Sequence, residues 1–84
     1  MRLDKFLKVS RLIKRRTVAN EVTDTGRVFV NDTIAKPAKQ IKEGDIIRIE
    51  YATRSLIVKV LKVPQGNVSA QEVSNLYKEI DNKN

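Results

Sequence analysis

Residues 15–32 read RRTVANEVTDTGRVFVND, and the hydrophobic period changes inside them. Val18 and Val22 are spaced i,i+4 with Ala19 beside them, which predicts a short helix from Arg15 or Arg16 to Thr25. Gly26 stands where a helix commonly ends in a left-handed residue. Beyond it the period is two. Val28 and Val30 alternate with Arg27 and Phe29, and Asn31-Asp32 supplies a hairpin turn. A helix that hands over to a strand pair within so short a span points to helices packed on one side of a small antiparallel sheet.

The flanking sequence extends this pattern in both directions. In residues 2–10 a turn of about 100° per residue places Leu3, Phe6, Leu7 and Ser10 on one arc and Arg2, Lys5, Lys8 and Val9 on the opposite one. This is a helix with one apolar and one cationic side, and Asp4 falls in its first turn, where a carboxylate suits the helix dipole. Arg11 to Arg16 form a basic connection whose Leu12 and Ile13 dip toward the core. On the other flank, Ile34 begins a return strand that Pro37 interrupts. Gly44-Asp45 marks a turn, Ile46 to Tyr51 reads as a strand with Ile47, Ile49 and Tyr51 on one face, and residues 56–63 read as another. Ser69-Ala70-Gln71-Glu72 has the form of a capping box, and Val73, Leu76, Tyr77 and Ile80 follow at helical spacing, predicting a C-terminal helix over about 70–81. The expected order is ααββββα, an α+β fold of two N-terminal helices on a small antiparallel sheet plus a C-terminal helix.

The chain has 84 residues, 40% of them hydrophobic. That suits one domain over 1–84 with a thin core, since a chain of this size buries only about 60–65% of its unfolded surface. Cysteine and histidine are both absent. Disulfides, thiol nucleophiles, zinc fingers and imidazole general bases are thereby excluded. No P-loop or dinucleotide fingerprint occurs. The acidic residues form no paired catalytic set, and no cofactor or metal is expected. No apolar run approaches membrane-spanning length, so the expectation is a cytoplasmic protein without a membrane partner.

Charge carries the functional signal. Seventeen Lys+Arg face ten Asp+Glu, a net +7, with a pI near 10.0. Residues 1–40 hold ten basic and four acidic groups, whereas residues 41–84 hold seven and six. Solubility needs no such clustering, so a polyanionic partner is indicated. Seven of the cations are Arg2, Lys5, Lys8, Arg11, Lys14, Arg15 and Arg16. Spread along one helix face and the entrance of the next, they suit several phosphates at once. Arg15 and Arg16 would add the positive end of a helix dipole. Thr17 and Asn20 are candidate donors to sugar or phosphate, or else a cap and a solvent-facing side chain. Arg27, Asn31, Lys36 and Lys39 either extend the patch or are ordinary strand and turn residues. Of four aromatics, Phe6 and Tyr77 are assigned to the core and Phe29 to the surface. With no aromatic cluster to stack bases, phosphate-based recognition of a folded RNA is favoured over single-strand reading.

The runs Arg2-Leu3-Asp4-Lys5-Phe6-Leu7, Arg15-Arg16-Thr17-Val18-Ala19, Gly26-Arg27-Val28-Phe29-Val30-Asn31, Lys36-Pro37 and Gly44-Asp45 together resemble the S-four, or alpha-L, RNA-binding domain family over about residues 1–50. Asp32 stands where that family usually has Gly, and Arg15 where it often has Ser. The run from Met1 to Thr17 is similar to the stand-alone bacterial branch that acts in ribosome-associated quality control, related to the ribosome-associated heat-shock protein of fifteen kilodaltons. That resemblance implies a non-enzymatic factor, monomeric when free, that binds large-subunit rRNA and peptidyl-tRNA on a stalled large ribosomal subunit. It implies RqcH, which adds alanine tails to the nascent chain, as a further partner. The contrasting expectations are a general rRNA-binding assembly or heat-shock factor, and a DNA-binding regulator whose two short helices mimic a helix-turn-helix.

Overall fold

A computed structural model describes residues 1–66 and 68–80. Two helices lead, α1 (Leu3–Val9) and α2 (Arg16–Asp24), followed by β1 (Val28–Val30), β2 (Thr33–Ile34), β3 (Ile46–Glu50), β4 (Ser55–Val60), a one-turn helix α3 (Ala70–Val73) and β5 (Tyr77–Glu79). The five strands form one antiparallel sheet in the order β2-β1-β3-β4-β5. α1 packs on α2.

The period-two pattern builds the core as the sequence predicts. Val28 and Val30 pair with Ile49 and Ile47, which pair with Leu56 and Val58. The inward side chains Val28, Val30, Ile47, Ile49, Val58 and Val60 are buried against Leu3, Phe6 and Leu7 of α1 and Ala19 of α2. Each large apolar side chain removed from water in this way contributes about 1.5–3 kcal/mol before its entropy cost. Leu12 and Ile13 reach the edge of this core.

The turns follow the left-handed residues. Gly26 ends α2 with φ +85°, and its N–H donates to Thr23 O at 3.0 Å. Asn31 and Asp32 take φ 52° and 68°, the two positive values a type I′ hairpin needs. Asp32 therefore adopts the conformation that glycine adopts at no cost. Asn31 helps to hold it: its amide donates to Asp45 Oδ1 at 3.1 Å, and its Oδ1 accepts the Ile46 N–H at 3.0 Å.

The second half departs from the expected elements in three places. The helix predicted over about 70–81 runs only from Ala70 to Val73, and Tyr77–Glu79 form β5 instead; residue 81 lies outside the described residues. The capping box does form, with the Ser69 N–H donating to Glu72 Oε1 at 3.2 Å. After it come Ser74 and Asn75, weak helix formers. β4 meanwhile offers an unpaired edge, and Val60, Lys59 and Val58 take Tyr77, Lys78 and Glu79 as partners. The ladder and the burial of Leu76 at 1% exposure outweigh a short helical period. The strand expected over 56–63 ends at Val60, because the Leu61 and Lys62 N–H groups both turn to Leu76 O. Tyr51 leaves the β3 face for a turn, its N–H donating to Arg54 O at 2.8 Å.

Candidate nucleic-acid interface

The N-terminus is fixed before any ligand is considered. The Leu3 N–H donates to Lys39 O at 2.7 Å, the Asp4 N–H to Pro37 O at 3.1 Å, and the Ile41 N–H to Met1 O at 2.8 Å. Segment 37–41 thus clamps the start of α1, and Arg2 pairs with Gln40 across it. Leu3 and Phe6 anchor the helix from the inside. Arg2, the N-cap of α1, is left facing outward.

Next to it lies the one acid of residues 1–16. Asp4 is buried, with a side chain 3% exposed. Its Oδ2 accepts from Arg2 Nη2 at 3.2 Å and from Asn20 Nδ2 at 3.1 Å. Its Oδ1 accepts a longer bond from Arg16 Nη2 at 3.5 Å. Burial pushes the Asp4 carboxyl up, but the Asn20 hydrogen bond and the Arg16 and Arg2 guanidinium groups outweigh it. The net effect is a carboxyl below the usual carboxylate range. Arg2, Asp4, Arg16, Thr17, Asn20 and Glu21 line one shallow concavity. The arginine side chains remain 45% and 47% exposed, with donors to spare.

Helix electrostatics sharpen this site. Arg15 is the N-cap of α2 and makes no side-chain cap, and no acid occupies the first turn. Two cations at the positive end of a helix dipole cost stability. A phosphate there would offset that cost and meet the free N–H groups of the first turn.

The other expected residues divide by position. Lys8, Arg11 and Lys14 line a second concavity with Val9 and Val68. Arg11 holds φ +63°, a conformation that strains a residue with a side chain. Lys5 sits on the flank of α1 beside Val63, Pro64 and Gln65. Lys36 and Lys39 share a third concavity with Asn31, next to the clamp on α1. Arg27 stands past the far end of α2, roughly 12 Å or more along the helix from Arg16. Asn31 spends both amide atoms on the fold. Asp4, read from the sequence as a helix-dipole carboxylate and a structural partner for the surrounding cations, is the participant whose place between Arg2, Arg16 and Asn20 was not foreseen. Its signal was its isolation, one acid among seven cations.

The outer sheet face uses an arginine differently. Arg48 lies 4.2 Å from the Phe29 ring centroid and 3.3 Å from Asp32 Oδ1. Its Nε is 2.8 Å from Glu50 Oε2, a contact of charge rather than a directed hydrogen bond. Phe29, expected at the surface, is half-buried beneath it. Tyr77, expected in the core, is also half-buried, on β5.

Among the described residues no cluster of acids could hold a metal ion, and no helix is long and apolar enough to cross a membrane.

The S4 domain family matches residues 1–47. The chain is 49% identical over 77 residues to the RQC P-site tRNA stabilizing factor of Halalkalibacterium halodurans, covering 92% of this chain and 86% of that one. The factor of the same name from Streptococcus pneumoniae is 46% identical with the same coverage. Among solved structures, the trimeric heat shock protein 15 of Vibrio cholerae superposes with a TM-score of 0.85 at 30% identity, covering 95% of this chain and 81% of that one. The chain belongs to the S4 domain family and, within it, to the group of RQC P-site tRNA stabilizing factors.

Proposed function

We propose that this protein is a non-enzymatic RNA-binding factor of ribosome-associated quality control. It acts in the cytoplasm on stalled large ribosomal subunits that carry peptidyl-tRNA. There it grips large-subunit rRNA and the P-site tRNA, holds that tRNA in place and supports RqcH-dependent alanine tailing of the nascent chain.

The observation that carries this reading is the set of half-exposed cations on two packed helices, with Arg2 and Arg16 sharing the buried Asp4. Arg2, Lys5, Arg15 and Arg16 would meet phosphates, with Thr17 and Asn20 as neighbouring donors. Lys8, Arg11 and Lys14 lie in a separate concavity, which gives the protein a second place to touch a backbone. Two weak grips become firm when both RNAs are present, because the second contact forms at high effective concentration. Such a mechanism is scaffolding: the protein lowers the rate at which the tRNA leaves and makes or breaks no bond.

The test is recovery of tagged protein from cells at moderate salt, with identification of the co-purifying RNA. The expected result is large-subunit rRNA with tRNA and without stoichiometric small-subunit rRNA. Intact ribosomes, small-subunit precursors or DNA in its place would overturn the assignment.

A further inference from the structure

Asp4 has the wrong charge for its place. It sits among the cations proposed to meet phosphate, and a count of charges would have it weaken RNA binding. Burying a carboxylate also costs free energy unless donors compensate it. Here three side chains do so, from three separate positions: Arg2 before α1, and Arg16 and Asn20 on α2. Arg2 and Arg16 repel each other, and long arginine side chains lose rotamer freedom when they are held. A carboxylate lying between them removes both obstacles before any ligand arrives.

We propose that Asp4 is a positioning residue: its carboxylate fixes Arg2, Arg16 and Asn20 as one pre-set phosphate grip, so that neutralising it weakens RNA binding while raising the net charge of the protein. This rests on the RNA-binding reading above. The geometry supplies the parts. Asp4 is 3% exposed, whereas Arg2 and Arg16 are nearly half-exposed, so the acid itself stays away from the ligand. Each guanidinium brings one Nη2 to the carboxylate. Each has five N–H donors in a planar fork, so tethering one of them to Asp4 restricts the guanidinium and leaves the other donors for a ligand. Ordering completed in the free protein is not charged to binding. The lowered carboxyl pKa keeps Asp4 ionised throughout the neutral range.

Asp4→Asn decides between the two readings because they differ in sign. The probe is purified bacterial large ribosomal subunits carrying peptidyl-tRNA, titrated at several salt concentrations. Wild type, Asp4→Asn and Arg16→Ala are compared, with circular dichroism confirming each fold. Positioning predicts that Asp4→Asn binds about tenfold more weakly at fixed salt, the scale of lost pre-organisation. It also predicts that the nitrogen-15 signals of Arg2 and Arg16, distinct in the free wild type through restricted rotation, average in the variant. Affinity equal to or tighter than wild type overturns the proposal, provided that Arg16→Ala still loses binding. If Arg16→Ala also binds as wild type, the RNA interface itself is misplaced and the proposal falls with it. Should Asp4→Asn fail to fold, Arg16→Lys takes its place. It keeps the charge but has no fork to share between Asp4 and a phosphate. Loss close to that of Arg16→Ala supports positioning, and wild-type affinity contradicts it.

Discussion

Arg16 and Arg48 have the same side chain and opposite employment. Arg16 gives one donor to a buried carboxylate and leaves its fork in water at the open end of α2. Arg48 lies over the Phe29 ring between Asp32 and Glu50 on the outer sheet. Arg16 adds charge at the positive end of a helix dipole, a cost to folding that its contact with the buried Asp4 offsets. Arg48 sits where two acids and an aromatic face neutralise it, and where it supports folding. Net charge counts the two alike. What separates a ligand contact from a structural one is whether the surroundings have already satisfied the cation.

The largest effect that would break this comparison is at Arg16. Arg16→Ala should weaken binding to peptidyl-tRNA-bearing large subunits by about ten- to a hundredfold, the scale of a lost charge-assisted hydrogen bond. Its circular dichroism and melting cooperativity should stay those of the wild type. A smaller loss is expected at Arg11, with an unusual sign pattern. Arg11→Gly removes a cation and also relieves the +63° backbone. Binding should fall by roughly threefold to tenfold, with a salt slope shallower by about one. Stability should rise by about 0.5 kcal/mol, since a left-handed side-chain-bearing residue is replaced by glycine. A variant that loses both binding and stability would show that Arg11 serves the fold.

Arg48→Ala should do the reverse of Arg16→Ala. Denaturant melts should show a loss of about 1 kcal/mol, from one cation–π contact and part-exposed ion pairs, and subunit binding should stay within about twofold. The smallest effect concerns pH. Asp4 titrates below its ordinary 3.8 in the folded protein, so its contribution to stability is present above that value. It is lost as the pH falls through the lower folded value. Melts of wild type and Asp4→Asn should therefore differ by a constant amount from neutral pH to about pH 5, and the gap should narrow below it.

How much of this was legible beforehand depends on whether neighbours in sequence or neighbours in space decide the structure. α1, α2, Gly26 and the Asn31-Asp32 turn rest on local signals, the helical period, a left-handed terminator and turn chemistry, and they stand where the sequence puts them. Residues 74–79 carry a helical period too, but β4 needs an edge partner and draws Tyr77–Glu79 into the sheet. Nothing within the segment announces that demand. The cationic patch was readable from charge asymmetry, and its expected members are exposed or half-exposed in the structure. The division of that patch into concavities was not readable, because it depends on where residues 37–41, residues 63–65 and Val68 lie against α1. Nor was the fold role of Asn31, whose partner Asp45 is fourteen residues away.

The most direct test is a paired titration of Arg16→Ala and Arg48→Ala against large subunits carrying peptidyl-tRNA, at matched salt and with melts run alongside. A grip built on α1 and α2 predicts that Arg16→Ala loses at least about tenfold in affinity while Arg48→Ala binds as wild type and melts earlier. Equal losses, or a larger loss at Arg48, would place the RNA on the outer sheet and contradict the account.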